Sequence, residues 1–143
     1  MKALISILLA SCLFSCELKP EPLRIGQDAC YACKMKLTDQ MFGAEIVTKK
    51  GKVYKFDDIG CMLSFNKSGE APGDNVAYRL VIDFARPEKF IQAQEAFYVQ
   101  SDIIKSPMGS GLAAFSNLAQ LENHNKEWKG VIRNWGELVT SHP

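Results

Sequence analysis

Three features are scarce in this sequence of 143 residues, and each scarcity argues against one class of structure, partner or site. Beyond the N-terminal stretch there is no run of about 18 apolar residues, so no transmembrane helix is expected there. The net charge is only +1, so bulk electrostatics do not favour nucleic acid as a partner. Only two histidines are present, His124 and His142, and they are not spaced as a pair of zinc ligands. With 47% hydrophobic and 23% charged residues, the chain has the composition of a globular protein with a core.

The N-terminus has the pattern of a bacterial secretory leader. Lys2 is followed by a mostly apolar stretch over residues 3–14, which has the length of a signal-peptide core. The residues before Cys16 resemble a lipobox, so residues 1–16 are predicted to be a lipoprotein signal peptide with Cys16 acylated. Cys12 is the alternative, although it would shorten the apolar core, and a plain secretory leader is a further alternative. Residues 17–27 are then predicted to be a flexible tether that holds the domain on the periplasmic side of a membrane.

Three cysteines remain for the folded part of the chain, since two of the five belong to the predicted leader. They are Cys30, Cys33 and Cys61. An odd number of cysteines in an exported protein leaves at least one thiol outside any internal disulfide. That thiol is either buried and inert or exposed and functional.

Residues 30–35 have the pattern Cys-x-x-Cys-x-Met, which places two thiols and a thioether close together. Thiolate and thioether are soft ligands, and their combination favours Cu(I) over zinc or hard cations. Outside the cytosol, neighbouring thiols tend to form a disulfide whereas thioethers do not. In an extended segment, Cys33 and Met35 would point to the same side of the backbone. Met108, in a Gly-rich turn, could close the site from the other half of the chain.

Two other chemistries are compatible with the same cysteines. One is a thiol-disulfide oxidoreductase that uses Cys30 and Cys33, although no strong strand precedes Cys30 and no βαβ unit follows it. The other is a structural zinc site that staples an interaction module. It would need four ligands, namely the three cysteines with His124 or His142.

Periodicity predicts an α+β fold. In the first half, residues 42–49 and 52–56 form a hairpin, a helix begins at Ile59, and residues 75–84 form the clearest strand. The predictions for the second half are a short helix or turn over 86–95, strands over 96–100 and 103–108, a helix over 111–123, a strand over 131–135 and an end turn over 136–141. The order strand, strand, helix, strand occurs twice, which predicts two small ββαβ units, residues 28–84 and 85–143, that share a core.

Asp57 and Asp58 directly precede the first predicted helix. Paired carboxylates can serve as acid and base, but no nucleophile or base partner is evident nearby. Helix capping is therefore the favoured interpretation. Cys61, in the same helix, is interpreted as a small buried residue and as the first reserve candidate for a metal ligand.

Several of these motifs resemble the NosL family of copper-binding lipoproteins. They occur in the order of the family and span about residues 28–120. They are Cys33-Lys34-Met35 and residues 44–47, 54–62, 95–99 and 106–115.

The resemblance implies two ββαβ units, similar to the organomercurial lyase arrangement. It implies a non-enzymatic, membrane-anchored Cu(I) chaperone that supplies nitrous oxide reductase, in denitrification, during assembly of its copper–sulfur centre. Relatives also occur without the reductase, so another copper-accepting protein is the alternative client. The implied copper ligands are Cys33, Met35 and Met108, with Cys30 and Cys61 as secondary candidates. Lys34 stands where glycine is common and Ser106 where threonine is common, and the charge of Lys34 is expected to lower the pKa of Cys33.

Overall fold

Two antiparallel sheets and three helices make up the fold of residues 18–141, the part of the chain that the computed structural model describes. The predicted leader with Cys12 and Cys16 lies outside the described residues, and so does His142. The strands are β1 (Ala44–Thr48), β2 (Val53–Phe56), β3 (Val76–Asp83), β4 (Arg86–Gln92), β5 (Phe97–Gln100), β6 (Leu112–Phe115) and β7 (Val131–Arg133). The helices are α1 (Ile59–Ser68), α2 (Leu118–Trp128) and α3 (Trp135–Ser141). Among the described residues, no helix is both long enough and apolar enough to span a bilayer.

The first sheet has the strand order β2-β1-β3-β4. All five residues of the central strand β1 are buried, because the strand is covered on both faces. In register, Ile46 of β1 lies between Tyr54 of β2 and Arg79 of β3. The turn between β1 and β2 contains Gly51 with φ of +80°, a conformation that favours glycine. The predicted hairpin is therefore confirmed.

The second sheet has the order β6-β5-β7 and joins the first through the core. The main-chain N–H of Phe84, just after β3, donates to the carbonyl of Ala114 in β6 at 2.8 Å. One buried cluster contains Phe56 from the first sheet together with Tyr98 and Leu112 from the second. The two sheets thus share a core, and the predicted α+β class is confirmed. The order strand, strand, helix, strand occurs as β1-β2-α1-β3 and as β5-β6-α2-β7, with β4 between them.

The helix predicted from Ile59 is confirmed with its cap. Asp58 has an extended backbone, and its side chain accepts a hydrogen bond from the N–H of Gly60 at 2.7 Å. A carboxylate at this position satisfies one of the unpaired N–H groups of the first helical turn. Asp58 is fully buried, so this cap lies inside the molecule and not at its surface.

The short helix or turn predicted over residues 86–95 is wrong for Arg86–Gln92, which form the edge strand β4, whereas residues 93–95 do form a turn. Only Ile91 of this strand is buried, and its other residues are exposed or half-buried. The strand pairs with β3 through Ile91 opposite Val81. An edge strand with a proline near its start and many charged residues lacks the alternation that marks a half-buried strand.

The boundaries predicted around β6 and α2 are also wrong. Residues 103–108 form a loop and not a strand, and the helix predicted over 111–123 is divided into β6 and α2. All four residues of β6 are buried, and a short apolar run of this kind does not distinguish a strand from a helix. The helix begins after Asn117, whose side-chain oxygen accepts from the N–H of Gln120 at 3.2 Å.

The last seven described residues form a helix, α3, where an end turn was predicted. Two reciprocal hydrogen bonds fix the start of this helix. The N–H of Glu137 donates to the side-chain oxygen of Asn134 at 3.0 Å, and the N–H of Asn134 donates to the Glu137 carboxylate at 2.9 Å. This is the capping-box arrangement, which stabilises a short helix at its first turn.

The segment before the first cysteine is held against the first sheet. The N–H of Glu21 donates to the buried Glu45 carboxylate of β1 at 3.0 Å. Lys55 of β2 forms ion pairs with Glu21 and Asp28, at 3.0 and 2.8 Å. Leu23 is buried as well. From Glu21 onward, the segment predicted as a tether therefore contacts the domain.

Candidate metal centre

The first cysteine motif lies in a short hairpin-like loop. An isolated bridge pairs Ala29 with Lys36, and inside it the N–H of Cys30 donates to the carbonyl of Met35 at 2.7 Å. Lys34 has φ of +66°, so the chain reverses direction between Cys33 and Met35. The segment is therefore not extended between these two residues, and strand alternation does not hold their side chains on one side.

Backbone and aromatic contacts fix this loop to β2 and α1. The N–H of Tyr31 donates to the carbonyl of Lys55 at 2.8 Å. The Tyr31 ring packs edge-on against Tyr54 and Phe65, with centroid distances of 4.6 and 5.3 Å. Such edge-to-face pairs add to the stability gained from burial. The loop is thus held in place by its first half.

Asp57 holds the end of the same loop. Its carboxylate accepts the main-chain N–H of Thr38 at 2.6 Å and the Thr38 hydroxyl at 3.1 Å. Asp57 is buried, so these bonds form away from water. Asp58 caps the helix, as predicted. Asp57 instead accepts hydrogen bonds from Thr38, next to the cysteine loop (residues 29–36).

Three thiols meet where this loop contacts the start of α1. The Sγ atoms of Cys30, Cys33 and Cys61 all lie within 4.8 Å of one another. Cys30 is fully buried, Cys61 is 8% exposed and Cys33 is half-buried. None of the three forms a disulfide. The sequence-based interpretation of Cys61 as a buried residue is confirmed, but Cys61 also belongs to a group that could hold a metal ion.

The three thiols differ in the direction in which their pKa is shifted. A hydrogen bond from Cys61 lowers the pKa of Cys30, helped by the backbone N–H groups of Cys33 and Asp57, although burial opposes it. The same bond raises the pKa of Cys61, and burial raises it further. One thiolate in the group is therefore stabilised by donors that point at its sulfur.

Burial raises the pKa of Cys33. The expectation that Lys34 lowers it is wrong, because the Lys34 ammonium turns elsewhere. Its Nζ donates to the carbonyl of Tyr31 and lies 4.2 Å from the centroid of the Tyr31 ring. The ammonium group of Lys34 therefore interacts with Tyr31 and not with the thiol of Cys33.

The loop of Met108 is a tight turn in front of β6. The N–H of Gly109 donates to the carbonyl of Ser106 at 3.0 Å, and the N–H of Gly111 donates to the Ser106 hydroxyl at 3.1 Å. Gly111 has φ of +64°, and a Cβ atom at this position would lie 2.5 Å from the carbonyl oxygen of Ser101. Glycine is therefore required there.

Asp58 joins this loop to helix α1. Besides capping the helix, its carboxylate accepts the main-chain N–H of Met108 at 3.1 Å and the hydroxyl of Ser110. Met108 and Cys61 are thereby placed at the same open cavity of about 430 Å³. The lining residues are Ala32, Cys33, Asp58, Gly60, Cys61, Ser64, Met108, Gly109 and Ser110.

The cavity thus brings together two of the three predicted ligands, Cys33 and Met108. Met35 does not line it and is 56% exposed, next to the turn at Lys34. Cys30 lies behind the lining, within reach of both other sulfurs. The group of close metal-binding side chains does not include His124, which stacks on Trp128 with a centroid distance of 5.2 Å.

A sequence model of one family matches residues 23–142, nearly the whole described chain, and that family is NosL. The chain belongs to the NosL family. The crystal structure of the copper chaperone NosL from Shewanella denitrificans has the same fold, with a TM-score of 0.72. The match covers 84% of this chain and 95% of that chain at 22% sequence identity. No curated protein matches the sequence.

Two parts of this NosL site were underestimated from the sequence. Cys30 and Cys61 were secondary candidates, yet their sulfurs lie within 4.8 Å of that of Cys33, in a group that could hold a metal ion. The signal that was available is the position of Cys61 in the first turn of a helix whose cap was predicted correctly. What the sequence did not contain was the direct link from Asp58 to the Met108 loop.

Proposed function

We propose that this NosL protein binds Cu(I) through Cys33, Met35 and Met108 and delivers it to a copper-accepting protein. The observation that carries this proposal is the common cavity of Cys33 and Met108, residues from distant parts of the chain. Among the common biological metals, Cu(I) is the one that prefers thiolate and thioether ligands. The fold shared with the copper chaperone NosL from Shewanella denitrificans supports the same role.

The exposure of the thioethers suits transfer. Met35 is 56% exposed and Met108 44% exposed, so both sulfurs can be reached by ligands from another protein. Methionine has three rotatable side-chain bonds, which lets Met35 turn towards the cavity when an ion is present. Copper can then pass to an acceptor by exchange of one ligand at a time. The carboxylates beside the cavity hold backbone N–H groups and hydroxyls, which fits a binding role better than catalysis.

The geometry argues against the two alternatives. In a thiol-disulfide oxidoreductase the attacking thiolate is partly exposed, but here the cysteine with the lowered pKa, Cys30, is fully buried. A structural zinc site needs four ligands, and His124 packs among aromatic rings in another part of the core. Among the described residues, the group of close metal-binding side chains holds three thiols and excludes His124, and His142 lies outside the described residues.

We further propose that the client is nitrous oxide reductase during assembly of its copper–sulfur centre. The protein would act on the periplasmic side of a bacterial membrane, anchored by a lipid on Cys16 or on the alternative, Cys12. The family supports the client, and the leader sequence supports the anchor. Substitution of Cys16 by Ser should release the protein from the membrane fraction, while Cys12→Ser should leave it there. The opposite pattern would move the anchor to Cys12, and absence of the wild-type protein from the membrane fraction would argue for a plain secretory leader.

The proposed function is tested by anaerobic titration of residues 17–143 with Cu(I) against a competing Cu(I) chelator, repeated with zinc. Tight binding of about one Cu(I) per chain, with zinc much weaker, is the expected result. Equal or tighter zinc binding would support the structural alternative. Unchanged Cu(I) affinity in both Cys33→Ala and Met108→Ala would overturn the ligand assignment. Transfer from the loaded protein to copper-free nitrous oxide reductase, against another copper acceptor, then tests the client.

A further inference from the structure

The three thiols and the two thioethers form two sets of ligands that share one residue. Cys33 faces the open cavity with Met108, and its Sγ also lies within 4.8 Å of the sulfurs of Cys30 and Cys61. Cys30 is fully buried behind the cavity, whereas Met35 and Met108 lie at the surface. We call the three thiols the deep set, because Cys30 lies behind the cavity that Cys33 and Cys61 line. The other set is shallow and contains the thioethers.

The deep set has the dimensions of a metal site without large rearrangement. Three sulfurs that share one ion through bonds of about 2.3 Å lie about 4 Å apart. The three sulfurs already lie within 4.8 Å of one another, so movements of less than about 1 Å suffice. The backbone that carries them is fixed by the Ala29–Lys36 bridge and by the capped start of α1.

Main-chain N–H groups lie next to two of the three sulfurs. The main-chain N–H groups of Cys33 and Asp57 point at the sulfur of Cys30, and that of Met35 points at the sulfur of Cys33. A soft cation would displace the protons of the thiols, but these N–H groups would remain and stabilise the thiolates. Two of the three sulfurs in the deep set would therefore keep main-chain donors when a metal is bound.

We propose that Cys30, Cys33 and Cys61 form an inner Cu(I) position, and that copper passes between it and the outer position through the shared Cys33. This inference rests on the proposed function, because it assumes that the cargo is Cu(I). On passage outward, the bonds from copper to Cys30 and Cys61 break and bonds to Met35 and Met108 form, while the bond to Cys33 persists. Copper remains Cu(I) throughout, and the two released sulfurs take up protons from water again. The inner position would retain the ion and the outer one would release it to a partner.

The first experiment removes the outer ligands and leaves every cysteine in place. In the mature protein with Met35→Leu and Met108→Leu, Cu(I) binding should persist with the ultraviolet charge-transfer absorbance of a Cu(I)–thiolate centre. Release to a competing chelator should be slower than from the wild-type protein, because the path outward is gone. Complete loss of Cu(I) binding in this variant would overturn the inner position.

The second experiment removes the inner ligands singly, as Cys30→Ser and Cys61→Ser. Each should lower the Cu(I) affinity by about tenfold or more and reduce the charge-transfer absorbance, whereas Met108→Leu should leave that absorbance unchanged. Urea unfolding of the metal-free variants separates loss of a ligand from loss of the fold. Affinities within about twofold of wild type in both folded serine variants would refute the inner position but leave the outer site intact. Absence of Cu(I) binding in the wild-type protein would instead refute the proposed function itself.

Discussion

Asp58 is expected to control the position of Met108 although it is not proposed as a copper ligand. Its buried carboxylate accepts from the N–H of Gly60, the N–H of Met108 and the hydroxyl of Ser110. The first of these bonds caps helix α1 and the other two hold the Met108 loop. Substitutions of different kinds can therefore separate the two functions of this side chain.

Asp58→Ala removes all three bonds. Loss of the cap costs about 1 kcal/mol. Each buried donor left without its acceptor costs about 1–3 kcal/mol more, so the free energy of unfolding should fall by about 4 kcal/mol in total. Asp58→Asn keeps an oxygen for Gly60, since asparagine caps helices as well as aspartate, but turns an amide N–H₂ towards the N–H of Met108. We expect it to cost about 2 kcal/mol, which leaves the protein folded for binding measurements.

Copper binding by Asp58→Asn tests the positioning role. Its Cu(I) affinity, measured anaerobically against a competing chelator in a Cys30→Ser background that leaves only the outer position, should fall by about as much as in Met108→Leu in the same background, for which we expect about tenfold, or about 1.4 kcal/mol. The double variant should bind no more weakly than Met108→Leu alone, because Asp58 acts only through Met108. Ser110→Ala, which removes a single bond to the loop, is the matched control and should have a smaller effect. Additive losses in the double variant, or wild-type affinity in Asp58→Asn, would refute this reasoning.

Three further predictions concern stability, measured by urea unfolding. Burial raises the pKa of Glu45 from 4.5 to about 7, so the folded state holds a proton that the unfolded state releases. The free energy of unfolding should therefore be higher below pH 4.5 and fall by up to about 3 kcal/mol as the pH rises through 7. Glu45→Gln should abolish this slope, and an unchanged slope would contradict the assignment. Because Lys34 has φ of +66°, Lys34→Gly should be more stable than Lys34→Ala by about 1 kcal/mol, and equal stabilities would show that the turn relaxes. Gly111→Ala should cost more than about 3 kcal/mol, because its Cβ would meet the carbonyl of Ser101. Gly109→Ala, which has open space, should cost only about 1 kcal/mol, and similar losses would remove the steric explanation.

The elements predicted correctly are those whose signals are local. The β1–β2 hairpin has a glycine turn between two apolar strands, and α1 has its cap at Asp58 directly before its apolar residues. The errors occurred where the local signal was weak or ambiguous. The buried run Leu112–Phe115 fits a strand or a helix equally well, and only its pairing with β5 makes it a strand. For α3 a signal was present, since Asn134 and Glu137 have capping-box spacing, but the helix is too short for periodicity to reveal it.

The proposed ligands can be identified from the sequence, whereas the contacts that position them cannot. Cys33, Met35 and Met108 stand out in the sequence because soft donors are rare and their motifs are short. Neither the proximity of Cys61 to Cys33 nor the cavity that they share with Met108 is encoded in any local pattern.

That geometry depends on two adjacent carboxylates with different partners. Asp57 accepts from Thr38, 19 positions before it, and Asp58 accepts from Met108, 50 positions after it. Both look like capping residues to any local analysis, because capping explains each of them without a distant contact. The folded chain uses one helix terminus to align the cysteine loop from one side and the methionine loop from the other. A change at either aspartate should therefore alter copper binding without removing a sulfur, which is why the ligand motif alone is an incomplete description of this site.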